Sequence, residues 1–259
     1  MTQPTDSRPL FVVGDIHGHF TEMKRLLRDA GLINASLGWE GGDARVWFMG
    51  DFFDRGPDGI SSLALAMRMQ EEAAGAGGEV DALIGNHDLY MLSVPRFPKD
   101  ERFKAAWLRN GGIEDEVVKL TPDMTEWLMG RPLMAHADDY LLIHADAAFY
   151  PLFGTSIDDV NANFNEIVRS KDTRSWEYIL DLFNEHRTFA RGLPGIGRAQ
   201  YILNLYGGSK IVHGHTPIHD IYDIEPEVIT EPLDYAGGLA LDVDGSIYDG
   251  GSGFAWRLK

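Results

Sequence analysis

Five short apolar runs punctuate the chain. Each is cut off by a glycine or a tight turn and followed at once by Asp, Asn or His. The first is Phe11-Val12-Val13-Gly14-Asp15-Ile16-His17-Gly18. Its β-branched half reads as a buried strand. In an extended chain, residues two apart point to the same side. Asp15 and His17 therefore reach into one site at the carboxyl end of the strand, where open α/β sheets hold their ligands. The same grammar recurs in Val46–Gly56, Ala82–Asp88, Leu141–Asp146 and Ile211–Pro217. Asp15 and Asp51 are 36 residues apart, and Asp51 and Asn86 are 35 apart. Each gap holds a strand, a helix and a return strand. The first three strands are thus expected side by side, with their polar residues on one rim.

Between the runs the period changes from two to 3.6. Phe20, Met23, Leu26 and Leu27 predict an amphipathic helix over 20–32, and Pro57-Asp58-Gly59 opens a second over 60–74. Residues 89–135 break this rhythm with Trp107, Trp127 and four prolines, and read as a helical insertion forming a lid or wall beside the site. Residues 150–206 read as a second helical insertion, its clearest helix over 177–189. The glycines of Gly192-Leu193-Pro194-Gly195-Ile196-Gly197 lack the full phosphate-loop fingerprint and predict a plain loop. Leu239–Tyr248 reads as a strand, an Asp-Gly hairpin turn and another strand, which also explains Asp242-Val243-Asp244-Gly245 without a calcium loop. Residues 1–9 read as a loose tail. One domain spanning 1–259, with the two insertions, accounts for the pattern.

The 259 residues are 44% hydrophobic and contain no cysteine. Thiolate metal sites and disulfides are excluded, so any metal must be held by imidazole, carboxylate or amide oxygen. The N-terminus lacks the basic and apolar regions of a secretory signal. No apolar run approaches the ~18 residues of a membrane span. A cytoplasmic protein with no membrane partner is the expectation. The net charge of −17 argues against a nucleic-acid partner, which calls for a basic face. A site for an anionic substrate must then be made locally positive by bound cations and a few arginines.

The strand ends supply Asp15, Asp51 and Asn86 with His17, His144 and His215. This mixed set of oxygen and nitrogen donors suits manganese, iron, zinc or nickel. It is too large for one catalytic ion with an open position. It fits two ions about 3.5–4 Å apart sharing a carboxylate.

Taken together, Gly14-Asp15-Ile16-His17-Gly18, Gly50-Asp51-Phe52-Phe53-Asp54-Arg55-Gly56, Gly85-Asn86-His87-Asp88, His144-Ala145-Asp146 and Gly214-His215-Thr216-Pro217 match, in order, the motifs of the calcineurin-like metallophosphoesterases. The Asp-Arg-Gly of the second motif resembles the phosphoprotein phosphatase branch and its bacterial and phage-type relatives. Asp146 stands where many members have glycine.

The resemblance implies an α/β sandwich of two mixed β-sheets flanked by helices. It implies two divalent metal ions, manganese first, with Asp15 and His17 on one, Asp51 bridging, and Asn86, His144 and His215 completing the other. It makes His87 the general acid, oriented by Asp54, and Arg55 a phosphate-binding residue. Arg187 is the candidate for the second such arginine, with Arg191 behind it. His213 lies two residues before His215, but the Gly-His-Thr-Pro match selects His215 as the ligand. The implied reaction is hydrolysis of a phosphomonoester, in a phosphoprotein or a small molecule, by a hydroxide bridging the metals. The alternative is a symmetrical dinucleoside tetraphosphate as substrate. A catalytically silent scaffold is the weakest reading, because every ligand and the His87–Asp54 pair are present.

Overall fold

Strand β1 (Leu10–Val13) runs parallel to β2 (Arg45–Phe48), and β2 runs parallel to β3 (Glu79–Ala82), in a computed structural model that describes residues 6–259. These are the three strands expected side by side. Helices α1 (Phe20–Asp29) and α2 (Gly59–Ala76) make the crossovers, and β9 (Ala255–Arg257) adds antiparallel to β1. The strand period sorts the side chains. Leu10 and Val12 join Met49 and Leu83 in an inner core, while Val13 packs with Met23, Leu26 and Leu27 of α1 in the outer one.

The second sheet has five strands in the order β4-β5-β6-β8-β7. They are β4 (Met134–Ala137), β5 (Tyr140–Ile143), β6 (Lys210–His213), β7 (Leu233–Tyr235) and β8 (Ala240–Asp242). The central pairs are parallel and the edge pairs antiparallel, so both sheets are mixed. Leu142, Val212 and Leu241 share the inner core with Leu10 and Val12 of the first sheet. Leu141, Ile143 and Ile211 belong to the outer core beneath the helices. The molecule is an α/β sandwich of two mixed sheets flanked by helices. No helix among the described residues is long and apolar enough to cross a membrane.

The first insertion is helical, with α3 (Asn86–Arg96), α4 (Glu101–Arg109), α5 (Glu114–Val117) and α6 (Pro122–Met129). The second carries α7 (Ile157–Arg169), α8 (Thr173–Leu182) and α9 (Gly192–Tyr206). Helix α10 (Ile218–Tyr222) is a single short turn beyond β6.

Four expectations are corrected. The helix expected over 177–189 begins at Thr173, where the Asp172 carboxylate caps it by accepting from the Ser175 N–H, and ends at Leu182. Residues 192–197, expected as a loop, open helix α9. There Gly195 packs so closely on Phe189 that a Cβ would fall 2.2 Å from its carbonyl oxygen, so the glycine serves a close approach rather than a break. The hairpin expected at 239–248 does not form. The Asp242 carboxylate accepts the Asp244 N–H at 2.8 Å and the Asp244 carboxylate accepts the Ser246 N–H at 2.9 Å. These side-chain acceptors wind the chain into a turn where a ladder would have been. Of the expected tail, residues 1–5 lie outside the described residues, while Arg8 is anchored to Asp6 at 2.6 Å and to Glu79 at 2.7 Å.

The inner core holds the two sheets in register, so it is where truncation is expected to cost most. Leu142→Ala, at a fully buried site, should lower stability by about 2–5 kcal/mol in urea denaturation. A loss below about 1 kcal/mol would show that the inter-sheet layer is not the main support.

Candidate active site

The strand ends meet in one place. The N–H groups of Ile16 and His17, just beyond β1, both donate to the Asp51 carbonyl, at 3.1 and 2.9 Å. The buried Asp88 carboxylate accepts the N–H groups of Asp51, Phe52 and Gly85 at 2.9–3.0 Å. It therefore pins the ends of β2 and β3 to each other. Burial, then the charge of Asp51, pushes the Asp88 carboxyl up to about 7. His17, Asp51, Asp54, Arg55 and His215 all have positive φ, between 46° and 68°. Non-glycine residues persist there only when the surroundings hold them.

Asp51 is the centre. Its Oδ2 lies 3.7 Å from His17 Nε2 and 3.5 Å from His144 Nε2. Its Oδ1 accepts the His87 N–H at 2.8 Å. Asn86 Oδ1 lies 3.1 Å from His144 Nε2 and 2.9 Å from His215 Nδ1. Asp15 Oδ2 accepts the His215 N–H at 2.9 Å. Two sets of ligand atoms fall within 4.8 Å of one another: His17, Asp51 and His87, and Asp51, His144 and His215. Asp51 belongs to both. All six residues expected to hold metal thus converge, and five are buried, His215 being half-buried.

The imidazole tautomers follow from their partners. His17 Nδ1 faces the Phe53 carbonyl at 3.0 Å, and His144 Nδ1 faces the Met49 carbonyl at 2.7 Å. A carbonyl only accepts, so both Nδ1 atoms carry hydrogen. Both rings then turn Nε2 toward the Asp51 carboxylate. A cation or a proton must lie between each nitrogen and the anion. Burial, with His87 nearby, drives the His17 pKa well down, and burial with His144 does the same for His215. Burial opposes charge on His144 as well, but Asp51 outweighs it and the pKa rises. Burial, then the charges of Asp244 and Asp51, holds Asp15 well above the usual carboxylate range, and its Oδ1 has no hydrogen-bond partner. An orphaned buried oxygen, three convergent imidazoles and a central carboxylate are the donor set that divalent ions fit.

Beside this cluster lies a buried hydrogen-bonded chain. Asp54 Oδ2 lies 2.8 Å from His87 Nδ1, and its Oδ1 accepts the indole N–H of Trp107 at 2.7 Å. Both side chains of the pair are buried, and Trp107 comes from α4 of the insertion. Burial raises the Asp54 pKa, against the His87 and Trp107 contacts that lower it. Arg55 Nη2 lies 3.2 Å from His87 Nε2, and its guanidinium stacks over the Tyr248 ring at 4.0 Å. The Arg55 N–H donates to the Gly111 carbonyl, again in the insertion. A recess of about 320 Å³ opens here, lined by Arg55, Asn86, His87, Asn110, His215 and Tyr248 among others.

Asp146 organises the far wall. Its carboxylate accepts the Arg187 N–H at 3.0 Å, the Thr216 hydroxyl at 2.5 Å and the Tyr235 hydroxyl at 3.3 Å. His213 turns away from the metal-capable cluster, with Nε2 2.8 Å from the Tyr235 hydroxyl. The Arg187 side chain pairs with Asp220 at 3.1 Å. It lines, with Arg191, an adjoining cavity of about 430 Å³ that shares Asn184, His186 and Asp220 with the recess. Neither arginine lines the recess itself. The roles of Asp88, Trp107, Asp146 and Tyr248 went unread in the sequence. Asp88 and Asp146 had a local signal, each standing inside a matched motif.

The model of the calcineurin-like phosphoesterase family matches residues 8–241. The symmetrical bis(5'-nucleosyl)-tetraphosphatase of Vibrio campbellii is 26% identical over 197 residues, covering 76% of this chain and 65% of that protein. The chain thus spans less than two thirds of the length of this relative. The crystal structure of a cold-active protein-tyrosine phosphatase from a psychrophilic Shewanella superposes with a TM-score of 0.74 at 21% identity, over 98% of this chain and 76% of that one. A protein serine/threonine phosphatase from Saccharomyces cerevisiae superposes with a TM-score of 0.56 at 16% identity, over 92% of this chain and 67% of the other. These two likenesses concern the fold. The match of the family model over nearly the whole chain, with its motifs gathered at one rim, places this protein in the calcineurin-like phosphoesterase family.

Proposed function

We propose that this chain hydrolyses phosphate monoesters with poor leaving groups, including phosphoserine and phosphothreonine in proteins. Two divalent ions, manganese first, would be held by Asp15, His17, Asp51, Asn86, His144 and His215. The Trp107–Asp54–His87 chain carries this reading. A buried carboxylate held from both sides, with an imidazole facing an open recess, is equipment for delivering a proton. An alkoxide needs that proton. A phenolate or a nucleotide phosphate hardly does.

When bound, the ions supply positive charge to the phosphoryl group and lower the pKa of the attacking water. The protein's own residues do the rest. Asp54 accepts the Nδ1 hydrogen of His87 and fixes the ring. The Arg55 guanidinium, now beside His87 Nε2, neutralises the equatorial phosphoryl oxygens, and the Tyr248 ring supports it from below. Drawing Arg55 onto phosphate frees Nε2 to carry the proton to the departing oxygen. No phosphoenzyme is needed, and the absence of cysteine removes the thiol route.

A second reading is hydrolysis of a dinucleoside tetraphosphate. Two observations favour it: the name of the Vibrio relative, and the adjoining cavity with Arg187, Arg191 and His186 on its wall. A panel of an alkyl phosphate, a phosphopeptide, p-nitrophenyl phosphate and diadenosine tetraphosphate with added manganese separates the two. Highest kcat/KM on the phosphopeptide or alkyl ester supports the first reading, and highest on the tetraphosphate replaces it with the second.

His87→Asn should keep both metals and lower kcat on the alkyl phosphate by roughly 10²–10⁴. The loss on p-nitrophenyl phosphate should be much smaller. Equal losses on both esters, or a missing metal ion in elemental analysis, would falsify the general-acid role.

Metal removal should show in stability as well as rate. Manganese at about 100 times its Kd should add about 2.7 kcal/mol per site, and a chelator should reverse it. Asp51→Asn should lose both the stabilisation and turnover. Full activity in excess chelator would rule out the metal chemistry.

A further inference from the structure

Asp244 lies in the stretch expected as a hairpin turn, yet the structure folds it beneath the β1 turn. The backbone there presses so closely on Gly14 that a Cβ on Gly14 would fall 2.0 Å from the Val243 carbonyl oxygen and 3.6 Å from the Asp244 Cα. Asp15 is the next residue. The Asp244 carbonyl accepts the Ile218 N–H at 3.1 Å, tying it to the turn that carries His215. Four residues on, Tyr248 packs edge-on against His17, with ring centroids 5.1 Å apart. Asp244 is thus set among the residues of the Asp15–His17 side of the cluster. The charges that reach it are those of Arg55, Asp51 and His144.

Its carboxylate is 1% exposed. Oδ1 accepts the Ser246 N–H, and Oδ2 has no partner. Asp15, 2% exposed, likewise leaves Oδ1 without a partner. A buried acceptor left bare is costly, and a charged one more so. Two such oxygens, on Asp15 and Asp244, come from neighbouring segments of opposite sheets; a third, on Asp242, feels the charges of Asp244 and Asp146 rather than those of the Asp51 cluster. A repeated fault of this kind is best answered by one cation that serves both.

We propose that Asp244 is a further carboxylate ligand on the Asp15–His17 side of the metal centre, acting through Oδ2. This rests on the dimetal reading above and goes beyond its six ligands. The two metal positions then differ in chemistry. One has the carboxylates of Asp15, Asp51 and Asp244 with a single imidazole. The other has one carboxylate, an amide and two imidazoles. Oxygen-rich sites suit manganese, and imidazole suits zinc, so the Asp244 side is the harder site and the one that selects manganese.

The test compares wild type with Asp244→Asn, and with Asp244→Ser as a second variant that keeps a small polar group for the Ser246 N–H. Manganese binding is followed by calorimetry and elemental analysis, and the Tm is read with and without chelator. Wild type should bind two ions. The variants should bind one ion as wild type does and the other about 10–100-fold more weakly. Their Tm in chelator should equal or exceed that of wild type, because a bare buried charge has gone. Two ions bound with wild-type affinities in the variants would overturn the proposal. So would a variant Tm lowered as much in chelator as in manganese, the mark of a structural role. A wild type that binds fewer than two ions would overturn the dimetal reading, and this proposal with it.

Discussion

Buried negative charge is the constraint on which the rest of this structure depends. Asp15, Asp51, Asp54, Asp88, Asp146, Asp242 and Asp244 are all at most 2% exposed. A buried carboxylate persists only if it is neutralised or hydrogen-bonded. The chain uses three means. Asp88 is satisfied by three backbone N–H groups, Asp54 by an imidazole and an indole, and Asp146 by a backbone amide and two hydroxyls. These three carry no reactive task in the proposed mechanism beyond holding others. Asp15 and Asp244 are left with bare oxygens, and Asp51 faces two imidazole nitrogens. Asp242, two residues before Asp244, also keeps Oδ2 bare, as does Glu116 in the first insertion, so the bare oxygens nearest the Asp51 cluster are those of Asp15 and Asp244.

The same acids hold the backbone strain. Asp51 at φ 53°, and Asp54 and Arg55 at 68° and 67°, sit in one tight stretch between β2 and α2. Such conformations cost of order 1–3 kcal/mol each and need external support. Asp88 grips the near end of the stretch through two N–H groups. The insertion grips the far end, Trp107 on the Asp54 carboxylate and the Gly111 carbonyl on the Arg55 N–H. The insertion is therefore more than a wall. It fixes the direction of the Asp54–His87 pair and of the arginine beside it.

This division explains what could be read in advance. The six metal-capable residues follow short strands by one to four positions, so the strand period and the turn place them from sequence alone. The strand order of the first sheet follows from the spacing of those same motifs. Trp107 was out of reach because its partner is 53 residues away, across an insertion that carries no period linking it to β2. Asp244 was misread because Asp-Gly is a strong local hairpin signal. The tertiary contact of Val243 with Gly14, and the Asp242 and Asp244 carboxylates bonding to the backbone just ahead of them, won over that preference. Gly192–Gly197 was misread for the converse reason: glycine there serves close packing on Phe189 inside a helix, and local rules read it as a breaker. Arg187 was chosen in sequence by its position before the last motif; its guanidinium is engaged with Asp220 and does not line the recess.

That pairing bears on substrate choice. Arg55 is exposed, stacked on Tyr248 and lines the recess, with His87 Nε2 3.2 Å from its guanidinium. Arg187 and Arg191 stand on the neighbouring cavity, across shared residues Asn184, His186 and Asp220. An exposed ion pair such as Arg187–Asp220 is worth at most about 1 kcal/mol. A second phosphate, or an acidic residue flanking a phosphorylated one, can therefore displace Asp220 at little cost. Under the proposed reading, a substrate with one isolated phosphate would leave that pair closed, and one with further negative charge a few ångströms away would open it. In the proposed reaction His87 would serve the leaving group and Arg187 an additional anionic group. The two would act on different parts of the substrate, so a proton donor and a preference for additional charge are compatible in one site.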